Sequence, residues 1–145
     1  MKLRIYKATE ARIPSGGIRR LFELISEEEA DPDAPARVHL IITDNRRIRR
    51  LNRDFRAKDK ATDVLSFNVD PLDEPGGVFG EIYVSDQAVR RQAKEYGVTV
   101  SQEYLRLFCH GLLHLFGHDH HHKTDASRMF ARQDYYLERL EETRR

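Results

Sequence analysis

The stretch "RVHLIITDNRRIRRLNRDFRAKDKATDVLSFNV", residues 37–69, holds the alternation that decides the fold. Its first part, "RVHLIITD" (Arg37–Asp44), is rich in β-branched residues and reads as a strand. Asp44 then stands at a helix N-cap position. "NRRIRRLNRDFR" follows with Ile48, Leu51 and Phe55 as an apolar stripe at helical spacing. "KDKATDVLSFNV" (Lys58–Val69) passes through a charged turn into a second strand.

Working outward, "KLRIY" (Lys2–Tyr6) alternates polar and apolar residues as a short strand does. After Pro14, "SGGIRRLFELISEEEA" spaces Ile18, Leu21, Phe22 and Ile25 as a helix, with Ser15 as its candidate cap. "DPDAPA" (Asp31–Ala36) and "DPLDEPGG" (70–77) read as loops. "VFGEIYVS" (Val78–Ser85) is a further strand, and "DQAVRRQAKEYG" a helix closed by Gly97. A long apolar helix runs from about Ser101 to Phe116, stopped by Gly117, and a last one from about Asp125 to Glu142. Strands interleave with helices in a chain too short for a doubly wound fold. The expected class is α+β, a small mixed sheet of about four strands packed with about five helices. No repeat or long linker divides the chain, so residues 1–145 read as a single domain.

Bulk composition narrows the function class. At 145 residues the chain is long enough to bury a core. Hydrophobic residues at 39% and charged residues at 34% are a soluble globular mixture. No apolar run approaches the roughly 18 residues that span a membrane, which argues against a membrane partner. The amino-terminal "MKLRIYKATEARIP" lacks an apolar signal core. A lone cysteine, Cys109, excludes an internal disulfide and suits a reducing compartment, so the expected location is cytoplasmic.

The chemistry gathers in "HGLLHLFGHDHHH", His110–His122, at the end of the central helix. Residues four apart on a helix share one face, so His110 and His114 can reach one metal ion. Gly117 ends the helix and turns the chain, which lets His120 approach the same ion; His118 and His122 are alternatives for that third place. Three imidazoles and an open position is the layout of catalytic zinc, one ion per chain, although imidazoles also accept other divalent metals. His118, His121 and His122 otherwise read as outer or solvent-facing residues, and Asp119 as a carboxylate that orients a ligand ring.

The spacing of both helical histidines, Gly117 and His120 is that of the metzincin peptidases, in which a glutamate beside the first histidine is the general base. Here that position is Gly111, which cannot take a proton. The base must come from elsewhere: His118, a group of the substrate itself, or hydroxide at the ion. A metallopeptidase-like hydrolase is therefore a weak alternative.

Between Arg46 and Lys60 lie eight cationic residues against Asp54 and Asp59 alone, inside a chain of net charge +1. Such a local excess is either a solvated basic helix face or the footprint of phosphate-backbone contact, and the second reading makes Arg49, Arg53 and Lys58 candidate RNA contacts. Arg56 follows Phe55 where the chain turns toward the next strand; an arginine there is either a plain surface residue or one placed to clamp a phosphate and offset charge in a transition state. Asp63 reads as a turn-closing residue and Ser66 as a strand hydroxyl bonded to backbone. Phe67 and Phe79 read as core before base-stacking, Met129 as core packing, and Leu105, Phe108, Leu112 and Leu115 as a core stripe.

Two segments resemble a known family. "HGLLHLFGHDH" is similar to the histidine signature of the YbeY family of bacterial single-strand endoribonucleases, and "LNRDFRAKDKATDVLSF" (Leu51–Phe67) to its other long motif. "GEIYVS" (Gly80–Ser85) resembles a strand of that family. The resemblance runs from about Val38 to Leu140. It departs at His118, where the family has an aromatic residue, and at Glu81, where it has aspartate. It implies metal ligands at His110, His114 and His120, a catalytic Arg56, and a metal-dependent endoribonuclease. The implied substrates are single-stranded RNA and ribosomal RNA precursors, in small-subunit 3′ end maturation and ribosome quality control, with small-subunit proteins as partners. A ribosome-assembly RNA-binding factor with a structural metal is the rival reading.

Overall fold

The computed structural model describes residues 1–31, 33, 37–69, 78–119 and 122–143, with backbone alone at 78 and 79. Most of the 31–36 loop, the 70–77 loop, and the side chain of Phe79 lie outside the described residues.

Among the described residues, four strands and five helices follow in the order β1 (Lys2–Lys7), α1 (Ser15–Glu29), β2 (Arg37–Thr43), α2 (Asn45–Arg56), β3 (Val64–Asn68), β4 (Val78–Ser85), α3 (Asp86–Tyr96), α4 (Val100–Leu115) and α5 (Lys123–Thr143). This is the α+β class expected from the sequence. The sheet order is β1-β2-β4-β3. β1, β2 and β4 are parallel, and β3 joins the edge antiparallel to β4, so the sheet is mixed.

β2 is buried along most of its length because both faces of the sheet are covered. Val38, Leu40 and Ile42 enter the main core with α1, α4 and α5, while Ile41 meets Ile48 of α2, Leu65 and Tyr83 on the other face. α4 is the central helix, touching α1, α3, α5, β3 and β4. It is apolar nearly all round for that reason.

Local chemistry sets the helix ends. Asp44 Oδ1 accepts from Arg47 N at 2.9 Å, the expected cap of α2. α4 starts earlier than its apolar run suggests because Thr99 and Gln102 form a reciprocal capping box: Gln102 N donates to Thr99 Oγ1 at 3.0 Å, and Thr99 N to Gln102 Oε1 at 2.9 Å. Ser15 is not a cap. Pro14 holds the N-cap position of α1 without a side-chain bond, and Ser15 is the first helical residue.

Phe55 also departs from expectation. Its stripe-mates Ile48 and Leu51 turn inward, yet Phe55, in the last turn of α2, is 71% exposed and meets edge strand β3 through the Phe67 ring. Glu103 is buried on α4, and its charge is balanced by Arg106 at 2.6 and 2.7 Å, while Gln92 Nε2 of α3 donates a hydrogen bond to it at 2.6 Å. The same amide donates to Asp63 Oδ2 at 3.3 Å, which ties down the turn leading into β3.

Candidate active site

His110 and His114 occupy the last turns of α4, and their Nε2 atoms lie 3.2 Å apart. Two nitrogens bound to one zinc at about 2.05 Å in tetrahedral geometry stand roughly 3.3 Å apart, so the pair fits a shared ion. His110 Nδ1 sits 3.1 Å from Gln133 Oε1 of α5. An amide oxygen only accepts, so in this contact Nδ1 carries the proton and Nε2 is the unprotonated nitrogen, the form a metal would require. Phe130 stacks on the His110 ring at 6.4 Å. His120, the expected third ligand, and His121 lie outside the described residues, within which no group of three or more potential ligands gathers.

Gly117 adopts φ +95°, the left-handed turn expected of it, and its N–H donates to His114 O at 3.0 Å. The chain then returns with His118 half-buried, its Nε2 3.4 Å from the Glu29 carboxylate at the end of α1. His118 is thus held toward α1. Asp119 lies on the same cleft, and His122 is exposed just ahead of α5.

Facing the histidines is the segment from α2 into β3. Arg56 Nη2 donates to Ser66 O at 2.5 Å, and its guanidinium carbon lies 5.0 Å from the Phe67 ring centre. Ser66 Oγ in turn donates to Gly111 O of α4 at 2.9 Å, the backbone-satisfied hydroxyl read from the sequence. One strand residue therefore links the arginine to the histidine helix. Ala57 takes a left-handed conformation at φ 56°, ending α2, and Asn52 Nδ2 donates to Lys60 O at 2.9 Å to hold the turn.

A cleft of about 550 Å³ lies between these walls, lined among others by Arg56, Lys58, Lys60, His110, His114 and Asp119. Of the candidate RNA contacts, Lys58 lines it. Arg49 and Arg53 lie outside the lining, each beside a carboxylate: Arg49 with Asp59 at 2.9 Å and Arg53 with Asp54 at 3.1 Å. The hydrogen bond from Arg49, then its charge, lowers the Asp59 pKa.

Gly111 faces the sheet. A Cβ there would stand 2.9 Å from Ile82 Cγ2 and 3.0 Å from Ser66 Oγ. The residue that excludes a metzincin base is required by close packing of helix on sheet. Cys109 is buried, its thiol pushed up to about 12 by burial, and Met129 is in the core; neither belongs to the site. Asp63 accepts from Val64 N at 2.8 Å and closes its turn. Glu81 accepts from Tyr83 Oη at 3.2 Å. It alternates with Gly80 and Ile82, which face α4, and so lies on the sheet face away from the histidines.

Gln133, Glu29 and Asn52 were not visible from motif spacing. Gln133 left a trace, as the one polar residue in the buried α5 series Met129, Gln133, Tyr136, Leu140.

The family model described as Endoribonuclease YbeY matches residues 6–141. The chain belongs to the YbeY family. The Endoribonuclease YbeY of Solibacter usitatus (strain Ellin6076) is 40% identical over 135 residues, covering 93% of this chain and 85% of that protein. The Endoribonuclease YbeY of Myxococcus xanthus (strain DK1622) is 50% identical over 101 residues, 68% of this chain, and the match spans 34% of that longer relative. A Thermotoga maritima protein whose structure was determined in solution superimposes with a TM-score of 0.64 at 31% identity, covering 96% of this chain and 89% of that one. The family match thus takes in α1 through α4 and most of α5, including both segments that resemble YbeY in sequence.

Proposed function

We propose that this chain is a metal-dependent endoribonuclease of single-stranded RNA, working in the cytoplasm on ribosomal RNA precursors in small-subunit 3′ end maturation and ribosome quality control. The observation that carries the reading is one cleft with a convergent imidazole pair on one wall and Arg56, Lys58 and Lys60 on the other. Peptide hydrolysis has no use for that cationic wall, whereas a phosphodiester does.

His110 and His114, with His120, are the proposed ligands of one ion per chain, with zinc first among the divalent metals. When bound, the ion supplies Lewis acidity at a phosphoryl oxygen. Gln133 keeps the His110 proton on Nδ1 and the ring in place. Arg56 gives one N–H to Ser66 O and retains others for the scissile phosphate, where charge builds in the transition state. Lys58 and Lys60 extend the anionic path along the cleft.

The test is elemental analysis of tag-free protein, wild type beside His114→Ala, with each sample then incubated with single-stranded RNA. About one metal per chain together with cleavage, both lost in a folded variant, supports the proposal. Metal without cleavage of RNA would sink the nuclease reading in favour of a binding factor.

A further inference from the structure

The exposed aromatic residue in the last turn of α2 is not isolated. Phe55 meets Phe67 of β3 edge to face, ring centres 5.8 Å apart, and Phe67 meets Tyr83 of β4 the same way at 6.0 Å. Arginines brace the row: Arg56 over Phe67 at 5.0 Å and Arg47 over Tyr83 at 5.8 Å. The two inner rings sit in or against the small core beneath α2, while the outermost stays 71% exposed. The row ends in a supported ring presented to solvent.

Its place matters more than its exposure. Phe55 directly precedes Arg56, and neighbouring helical side chains diverge by about 100°. Arg56 lines the cleft, so Phe55 stands just outside its rim. Both rest on Phe67, so clamp and ring share a support.

We propose that Phe55 is a stacking platform for one base of the RNA strand whose phosphate Arg56 holds. The inference rests on the RNA reading above. Charge selects this occupant over an apolar protein segment, because residues 46–60 carry eight cations and only two acids. Both acids already pair with Arg49 and Arg53, so the surroundings of the ring are cationic. A nucleotide meets both features, its phosphate toward the arginines and its base on the ring. Stacking of this kind tolerates any base, since each has a π face, and it requires an unpaired strand.

The protein contains no tryptophan, so Phe55→Trp installs a single fluorescent reporter at the platform. Titration with an unstructured RNA oligonucleotide should quench it. In steady-state cleavage Phe55→Leu should raise KM roughly tenfold, the lower range for loss of one stacked base, with kcat little changed. Tyr96→Leu removes another exposed aromatic, on α3 and outside the cleft lining, and should leave KM as in wild type. Suppose wild type binds and cleaves RNA, but neither the fluorescence of Phe55→Trp nor the KM of Phe55→Leu moves. The platform is then overturned and the nuclease reading stands. An equal rise in KM for Tyr96→Leu would likewise overturn a specific role for Phe55. If wild type binds no RNA, the RNA reading fails and the platform with it.

Discussion

Gln133 Oε1 stands 3.1 Å from His110 Nδ1, across the packed boundary between α5 and α4. The amide is buried, so water does not readily replace it. Gln133→Leu should therefore lower zinc affinity by about 10- to 100-fold with the fold retained, while Gln133→Glu, which keeps an acceptor, should restore much of it. Competition against a chromogenic chelator reads this directly. Equal affinity for wild type and the leucine variant would show that Gln133 has no hold on the His110 ring.

Arg56 is exposed, so its replacement should leave folding intact. Arg56→Ala is expected to lower kcat by on the order of 100-fold, in line with loss of a donor aimed at developing charge. Arg56→Lys should recover little, because an ammonium lacks the planar fork that, on the proposed reading, would meet a phosphate while bonded to Ser66 O. Full activity in the lysine variant would reduce the role to simple charge.

At Gly111 even one methyl is too much. Gly111→Ala places carbon against Ile82 and Ser66 at 2.9–3.0 Å and should cost about 1–3 kcal/mol of stability, read from the urea midpoint. A variant as stable as wild type would mean that α4 can lift from the sheet freely.

Ala57 offers the opposite change. With φ at 56° an L side chain is strained there, and Ala57→Gly should stabilise by up to about 1 kcal/mol. A lower urea midpoint in the variant would count against the left-handed turn.

The phenols of Tyr104 and Tyr136 are raised above the ordinary tyrosine range, first by burial and then by hydrogen bonds to Asp86 and Glu29. An acid held neutral by the fold contributes stability that is whole below its unfolded value of 10.0 and is lost as pH rises through the folded one. Unfolding stability should thus fall with pH above about 10, and less steeply in Tyr136→Phe. Parallel pH profiles for the two proteins would contradict the assignment.

Much of the fold was legible because period and punctuation agree along the chain. Asp44, Gly97 and Gly117 mark helix ends as their chemistry demands. Phe55 was misread because periodicity tells which face of a helix is apolar and says nothing of how much of that face the rest of the fold covers. The convergence of His110 and His114 was legible since both sit on one helix, four residues apart. Gln133 and Glu29 reach the same region from 23 and 89 positions away from the histidines they touch, and only packing brings them there.

The tie from Arg56 to Ser66 and from Ser66 to Gly111 ends on backbone carbonyls at both steps. Neither acceptor carries a net charge, so dissolved ions that screen the cationic wall barely loosen the frame that holds it. Rising ionic strength should weaken capture of a polyanion while leaving the gap between guanidinium and imidazoles as it was. Affinity and alignment are thereby governed by separate interactions, and a strand that does bind in concentrated salt still meets a correctly spaced site.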